Sequence, residues 1–263
     1  MLKNLRGLLK YRQLIQSMVA RELKARYRGS VLGFFWSFIN PLLLLLVYTF
    51  VFSYVLPARQ PNLDPYALFL FCGILPWTWF SSSILESANV LISGGNLLKK
   101  VMFPAEVLPF VTVLANMVHF FLGLPILVGF LIYYRAPLQA SELAWFPVVV
   151  LVQLVLTLGL ALIVSALTVH FRDLKDILSN LVTFWFFATP IIYSMQDAPA
   201  LAKRFLNGNP FTHLAISYQE ILFYQGDFGH WKWLLALGAG SVALFLAGYY
   251  LFDRLRDTFA EEV

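Results

Sequence analysis

From Val31 to Leu56 the chain carries no charged side chain, whereas four of the eight residues from Arg21 to Arg28 are Lys or Arg. Only Gly29-Ser30 separates the two stretches. An uncharged run of that length measures about 39 Å as a helix, more than the roughly 30 Å of a bilayer core. Lipid accepts such a run only if its backbone groups bond among themselves, which demands a helix. The basic stretch just ahead of it belongs among the headgroups. The expected corner is a surface helix that turns into a crossing helix, and the remaining chain is read from there.

Further apolar runs follow, and with 60% apolar and 13% charged residues the chain lies outside the range of soluble domains. The spacing predicts six spans, over 32–56, 66–89, 107–134, 144–169, 177–193 and 233–252. Residues 1–29 form an amphipathic interface helix, with Ile15, Val19, Leu23 and Tyr27 on one stripe, and 253–263 form a charged tail. The fold class is therefore an all-α integral membrane protein with one membrane domain over 1–263. Pro76 predicts a kink or break in span two. Between spans five and six, the two apolar patches of 198–224 are each shorter than a crossing needs. They predict two short re-entrant helices around Asn209-Pro210, with two further full spans as the alternative.

An even span count puts both termini on one side. That side carries fourteen of the nineteen Lys and Arg residues, which predicts cytoplasmic termini. A charged stretch this long, a span-length apolar run and no small-residue cleavage site do not suit a secretory signal. Basic residues at span ends account for the net charge of +5, so nucleic acid is not an expected partner. A single cysteine, Cys72, excludes a disulfide framework within one chain.

Few residues are candidates for chemistry. Gly94-Gly95-Asn96-Leu97-Leu98-Lys99-Lys100 lacks the spacing of a phosphate-binding loop. His119, His170, His213 and His230 have no helical pairing, so no metal site is expected. Ser81-Ser82-Ser83 suggests hydrogen bonds between helices. Inside the spans the polar candidates are Glu86 and His119, too few for an ion-driven carrier. Glu86 has two readings: a functional carboxylate, or the simpler one, a group near headgroup level paired with a nearby Lys or Arg. The aromatics Trp77, Trp79 and Phe80, with Phe184, Trp185, Phe187 and Tyr193, would suit stacking on sugar rings along a path. An ordinary lipid-facing belt is the competing reading.

The motif Arg21-Glu22-Leu23-Lys24-Ala25-Arg26-Tyr27-Arg28, with Leu32-Gly33, Trp36 and Pro41, resembles the opening of ABC-2 type permeases that export polysaccharides. Gly73-Ile74-Leu75-Pro76-Trp77, Asn96 to Lys100 with Phe103-Pro104, Phe171-Arg172-Asp173-Leu174, Thr189-Pro190-Ile191, Asn209-Pro210 and Phe259-Ala260-Glu261 extend the likeness in order. Glu22 stands where that family often has Asp. The resemblance implies a homodimer with two separate ATPase subunits, exporting a lipid-linked O-antigen, capsule or teichoic acid across a bacterial cytoplasmic membrane. It implies no cofactor in this chain, with ATP and Mg on the partner. It further implies that Glu22, Lys24, Arg26, Asn96, Leu98, Lys99, Lys100, Val101 and Phe103 meet the ATPase. Rival readings are an ABC-2 permease for a drug or lipid, a membrane-embedded glycan-modifying enzyme, and a non-transporting scaffold.

Overall fold

The computed structural model describes residues 11–51, 55, 63–95, 104–136, 138–171, 173–224 and 226–259. Among these, every regular element is a helix. Apart from three single-turn 3-10 helices, in chain order they are α1 (Arg12–Arg26), α2 (Trp36–Phe50), α3 (Tyr66–Ser93), α4 (Val107–Tyr133), α5 (Ala140–Leu143) and α6 (Phe146–His170). Then come α7 (Leu174–Phe187), α8 (Ala200–Asn207), α9 (Pro210–Leu222) and α10 (Trp231–Leu255).

Four stretches are long and apolar enough to cross a bilayer: Tyr66–Ser93, Val107–Tyr133, Ala140–His170 and Trp231–Thr258. They fall where spans two, three, four and six are expected. The other two expected spans appear as shorter helices. α2, at 15 residues, covers about 22 Å, and the far end of its apolar run lies outside the described residues. α7 has 14 residues.

α3 forms the centre. Phe69, Leu70, Phe71, Cys72, Trp79 and Phe80 are buried all round it, against α4, α6, α7 and α9. A helix that is apolar on every side suits that place. Of the kink or break expected at Pro76, the break does not occur: helix α3 runs continuously from Tyr66 to Ser93. Pro76 takes away the N–H that would bond the Cys72 carbonyl one turn back. Gln153 Nε2, on α6, donates to the carbonyl of Pro76 itself at 2.8 Å and ties the two helices together at that level. The serine triplet also differs from expectation. Ser83 and Ser81 donate back to the Trp79 and Thr78 carbonyls of their own helix, at 2.7 and 3.4 Å.

α6 and α10 approach closely through two glycines. A Cβ on Gly248 would sit 2.6 Å from the Gly159 carbonyl oxygen, and one on Gly159 would sit 2.9 Å from the Phe245 nitrogen. Small residues at such crossings let backbones meet in lipid, where packing replaces the hydrophobic effect. Just beyond α1, Gly29 adopts φ +79, a left-handed conformation that lets the chain leave the helix sharply. Leu14, Ile15, Met18 and Val19 of α1 pack on a cluster that includes Leu91, Val107, Leu108 and Val111. Helix α1 thus rests on its own bundle.

Candidate functional site

Two consecutive residues at the end of α1 reach three other helices. Arg26 donates to Glu86 Oε2 on α3 at 2.8 Å and to Asn116 Oδ1 on α4 at 3.1 Å. Asn116 Nδ2 donates to the same Glu86 oxygen at 2.7 Å and to the Thr112 carbonyl at 3.1 Å. The Tyr27 hydroxyl contacts Ser37 Oγ on α2 and lies 3.2 Å from His119 Nδ1 on α4. Glu86 therefore has a cationic partner, supplied by the basic helix. Both side chains are partly solvated, so screening trims the attraction, but the shared amide turns a pair into a triangle.

Beside this junction a cavity of about 810 Å³ opens between α2, α3 and α4. Leu43, Val47 and Leu75 give it an apolar wall, and Arg26, Asn116 and His119 a polar end. Glu22 and Lys24 lie exposed on α1. Asn96, Leu98, Lys99, Lys100, Val101 and Phe103 lie outside the described residues.

The aromatic candidates divide into two groups. Trp77, Trp79 and Phe80 are buried within one chain, Phe80 at 0% exposure. Trp77 meets Phe211 edge-on at 4.9 Å, Phe80 meets Phe211 at 4.8 Å, and Trp79 donates to the Val113 carbonyl at 3.2 Å. These three are core, without surface to offer a passing ligand. Phe184 and Phe187 are 73% and 56% exposed, on a face of α7 that also carries exposed Ile177 and Leu181. Trp185 is half-buried and donates to Asn209 at 2.6 Å, while Tyr193 donates to the Phe187 carbonyl at 3.1 Å.

Asn209 joins the Thr189-Pro190 and Asn209-Pro210 segments. Its oxygen accepts from Trp185 Nε1 and from the Phe211 N–H at 2.9 Å, capping α9. Its amide donates to the Ala188 carbonyl and to Thr189 Oγ1, each at 2.9 Å. All four bonding positions of that side chain are used, and they tie the end of α7 to the start of α9. Gln219 similarly donates to the Pro190 carbonyl at 2.8 Å.

The loop ahead of α10 is gripped through its main chain. Glu142 Oε2 accepts from the Phe228 N–H at 2.7 Å and Glu220 Oε2 from the His230 N–H at 3.0 Å. His213 and His230, far apart in sequence, lie with their rings nearly parallel and ring nitrogens 2.9 Å apart. The Asn207 carbonyl, 3.0 Å from His213 Nε2, can only accept, so that nitrogen carries the proton. In the neutral pair His213 Nδ1 then accepts from His230 Nε2. Trp233 stacks on His213 at 4.9 Å. Burial, reinforced by His213, pushes His230 down to about 4. A lowered imidazole favours the folded loop above the free value near 6.5, and that contribution is lost as pH falls toward about 4. Glu220, raised by burial, has the opposite sign. Ring-nitrogen NMR should give a His230 midpoint near 4, moving toward 6.5 in His213→Ala; a wild-type midpoint above 6 would refute the pairing. Among the described residues no three His, Cys, Asp or Glu side chains are grouped to hold a metal ion.

Apolar helices of membrane length and a basic helix wired into their bundle define a multi-pass helical membrane protein. Residues 13–223 match the ABC-2 type transporter family, and the chain belongs to it. It is 45% identical, over all of both chains, to an O-antigen export system permease protein of Myxococcus xanthus. It is 33% identical to one of Klebsiella pneumoniae, covering 92% of this chain and 91% of the relative. A polysialic acid transport protein of Escherichia coli is 23% identical over 76% of this chain and 77% of its own.

Proposed function

We propose that the chain is the membrane subunit of an ATP-driven exporter that moves a lipid-linked polysaccharide across a bacterial inner membrane. The observation that carries this reading is the end-to-end similarity to an O-antigen export permease. In it, two copies face each other across the uncovered side of α7. Phe184 and Phe187, with Tyr193 near them, offer rings to the C–H faces of passing sugars, while Trp77, Trp79 and Phe80 stiffen the wall from behind. Two ATPase subunits, carrying ATP and Mg, engage Glu22 and Lys24 on α1 and the connector that holds Leu98, Lys99, Lys100, Val101 and Phe103. Arg26, turned inward to Glu86, passes motion of α1 to α3 and α4 and does not itself meet the ATPase. Deleting the gene should trap the glycan inside the cell, and a plasmid copy should return it to the surface. Unchanged surface glycan in the deletion strain would refute the reading.

The same reading has six spans, cytoplasmic termini, and α8 and α9 as re-entrant helices on the outer side. The basic majority on the N-terminal side and the shortness of α8 and α9, at 8 and 13 residues, support it. In a Cys72→Ser background, cysteines at Arg204 and Asp227 should react with an impermeant thiol reagent from outside intact cells, and one at Lys24 only after lysis. Labelling of Lys24→Cys in intact cells would invert the topology.

A further inference from the structure

Between the turn at 194–197, the end of α8, α9 and the loop at 226–230 lies a second cavity, of about 380 Å³. Its volume is at the small end of ligand pockets, room for one ring and its substituents. Gln196, Asn207, Gln219, Glu220, Tyr224 and Asp227 supply its chemistry, and no Lys or Arg is among the described residues that line it. Gln219 is 2% exposed, and its amide nitrogen is committed to the Pro190 carbonyl, so an acceptor oxygen remains. The Tyr224 hydroxyl lies 3.3 Å from Ser194 Oγ, and its ring adds an apolar surface. Asp227 and Asn207 stand exposed at the mouth.

Such a lining selects by charge and by donor count. Two carboxylates repel an anion. A divalent ion lacks its ligands, because the described residues gather no third acidic or imidazole group around one point. An acyl chain would leave the polar half of the wall without hydrogen-bond partners. What fits is a compact neutral molecule that brings several donors of its own, and a pyranose does so with its hydroxyls.

We infer that this cavity is a subsite for one neutral or amino-bearing sugar unit, and that it rejects uronic and sialic acid units. The inference rests on the polysaccharide reading above and adds to it a place and a selectivity. Binding there is weak by necessity, since a unit held tightly would stall the chain behind it. A dissociation constant on the order of 1 mM is expected.

The test uses the full chain in lipid nanodiscs, titrated with methyl glucoside and methyl glucuronide and followed by saturation-transfer NMR. The glucoside should bind at least about tenfold more tightly than the glucuronide. Gln196→Ala should weaken the glucoside about fivefold, and Asp227→Asn should narrow the gap between the two sugars. Equal binding of both sugars, or two variants that behave as wild type, would overturn the assignment. A wild-type chain that restores surface glycan yet binds no glycoside removes the subsite and leaves the export reading intact. A chain that binds the glucoside yet restores no glycan does the reverse.

Discussion

Gly248→Val is expected to separate α6 from α10 and leave little folded protein. The new Cβ would stand 2.6 Å from a backbone oxygen of Gly159 and 3.1 Å from Ile163 Cγ1, and a backbone atom cannot rotate away. The two helices must move apart, giving up the close packing that holds them in lipid. Overpacking of this kind costs about 3 kcal/mol. Gly240, on the same helix, faces open space: a Cβ there would meet nothing within 4 Å. Gly240→Ala should therefore be tolerated, and helix propensity should stabilise it by about 0.5–1 kcal/mol. Thermal unfolding in detergent, followed by size-exclusion profile, compares the two. Similar midpoints would show that the crossing tolerates a side chain.

The second large effect is expected at the junction of α1 with the bundle. Glu86→Ala removes the acceptor that Arg26 and Asn116 share, leaving a guanidinium and an amide without it. Partial solvation limits the cost to about 1–2 kcal/mol, roughly a tenfold loss if it falls on the transport step. Arg26→Glu combined with Glu86→Arg should recover much of the activity. Asn116 makes this possible, because its amide donates from one end and accepts from the other and can turn to serve the reversed pair. Export measured as surface glycan, with membrane insertion checked in parallel, decides the matter. A double variant no better than Glu86→Ala would show that position, not charge pairing, matters there.

The four long helices were legible in the sequence because bilayer thickness sets a length that a hydropathy run must meet. Glu86 was legible for a related reason: a carboxylate at that depth calls for a cation, and the basic stretch ahead of α2 offered several. Asn116 was not, since it lies 90 residues from Arg26 and 30 from Glu86, and periodicity reports only on neighbours within a few turns. The pairing of His213 with His230 was hidden in the same way. The aromatics could not be told apart for another reason. In lipid the inside and the outside of a bundle are equally apolar, so composition cannot tell buried Trp79 and Phe80 from exposed Phe184 and Phe187. Burial had to come from the packing itself.

Glu142 and Glu220 hold the loop before α10 by its peptide nitrogens and not by its side chains. A grip of that kind is indifferent to residue type, as every amino acid except proline brings the same N–H. Asp227, next to the gripped stretch, is thereby released from any duty in keeping the loop in place. Descendants of this chain can exchange it for a neutral or basic residue without loosening the fold. The lining of the cavity beside it can then change charge through single substitutions, while the helices that carry the loop stay as they are.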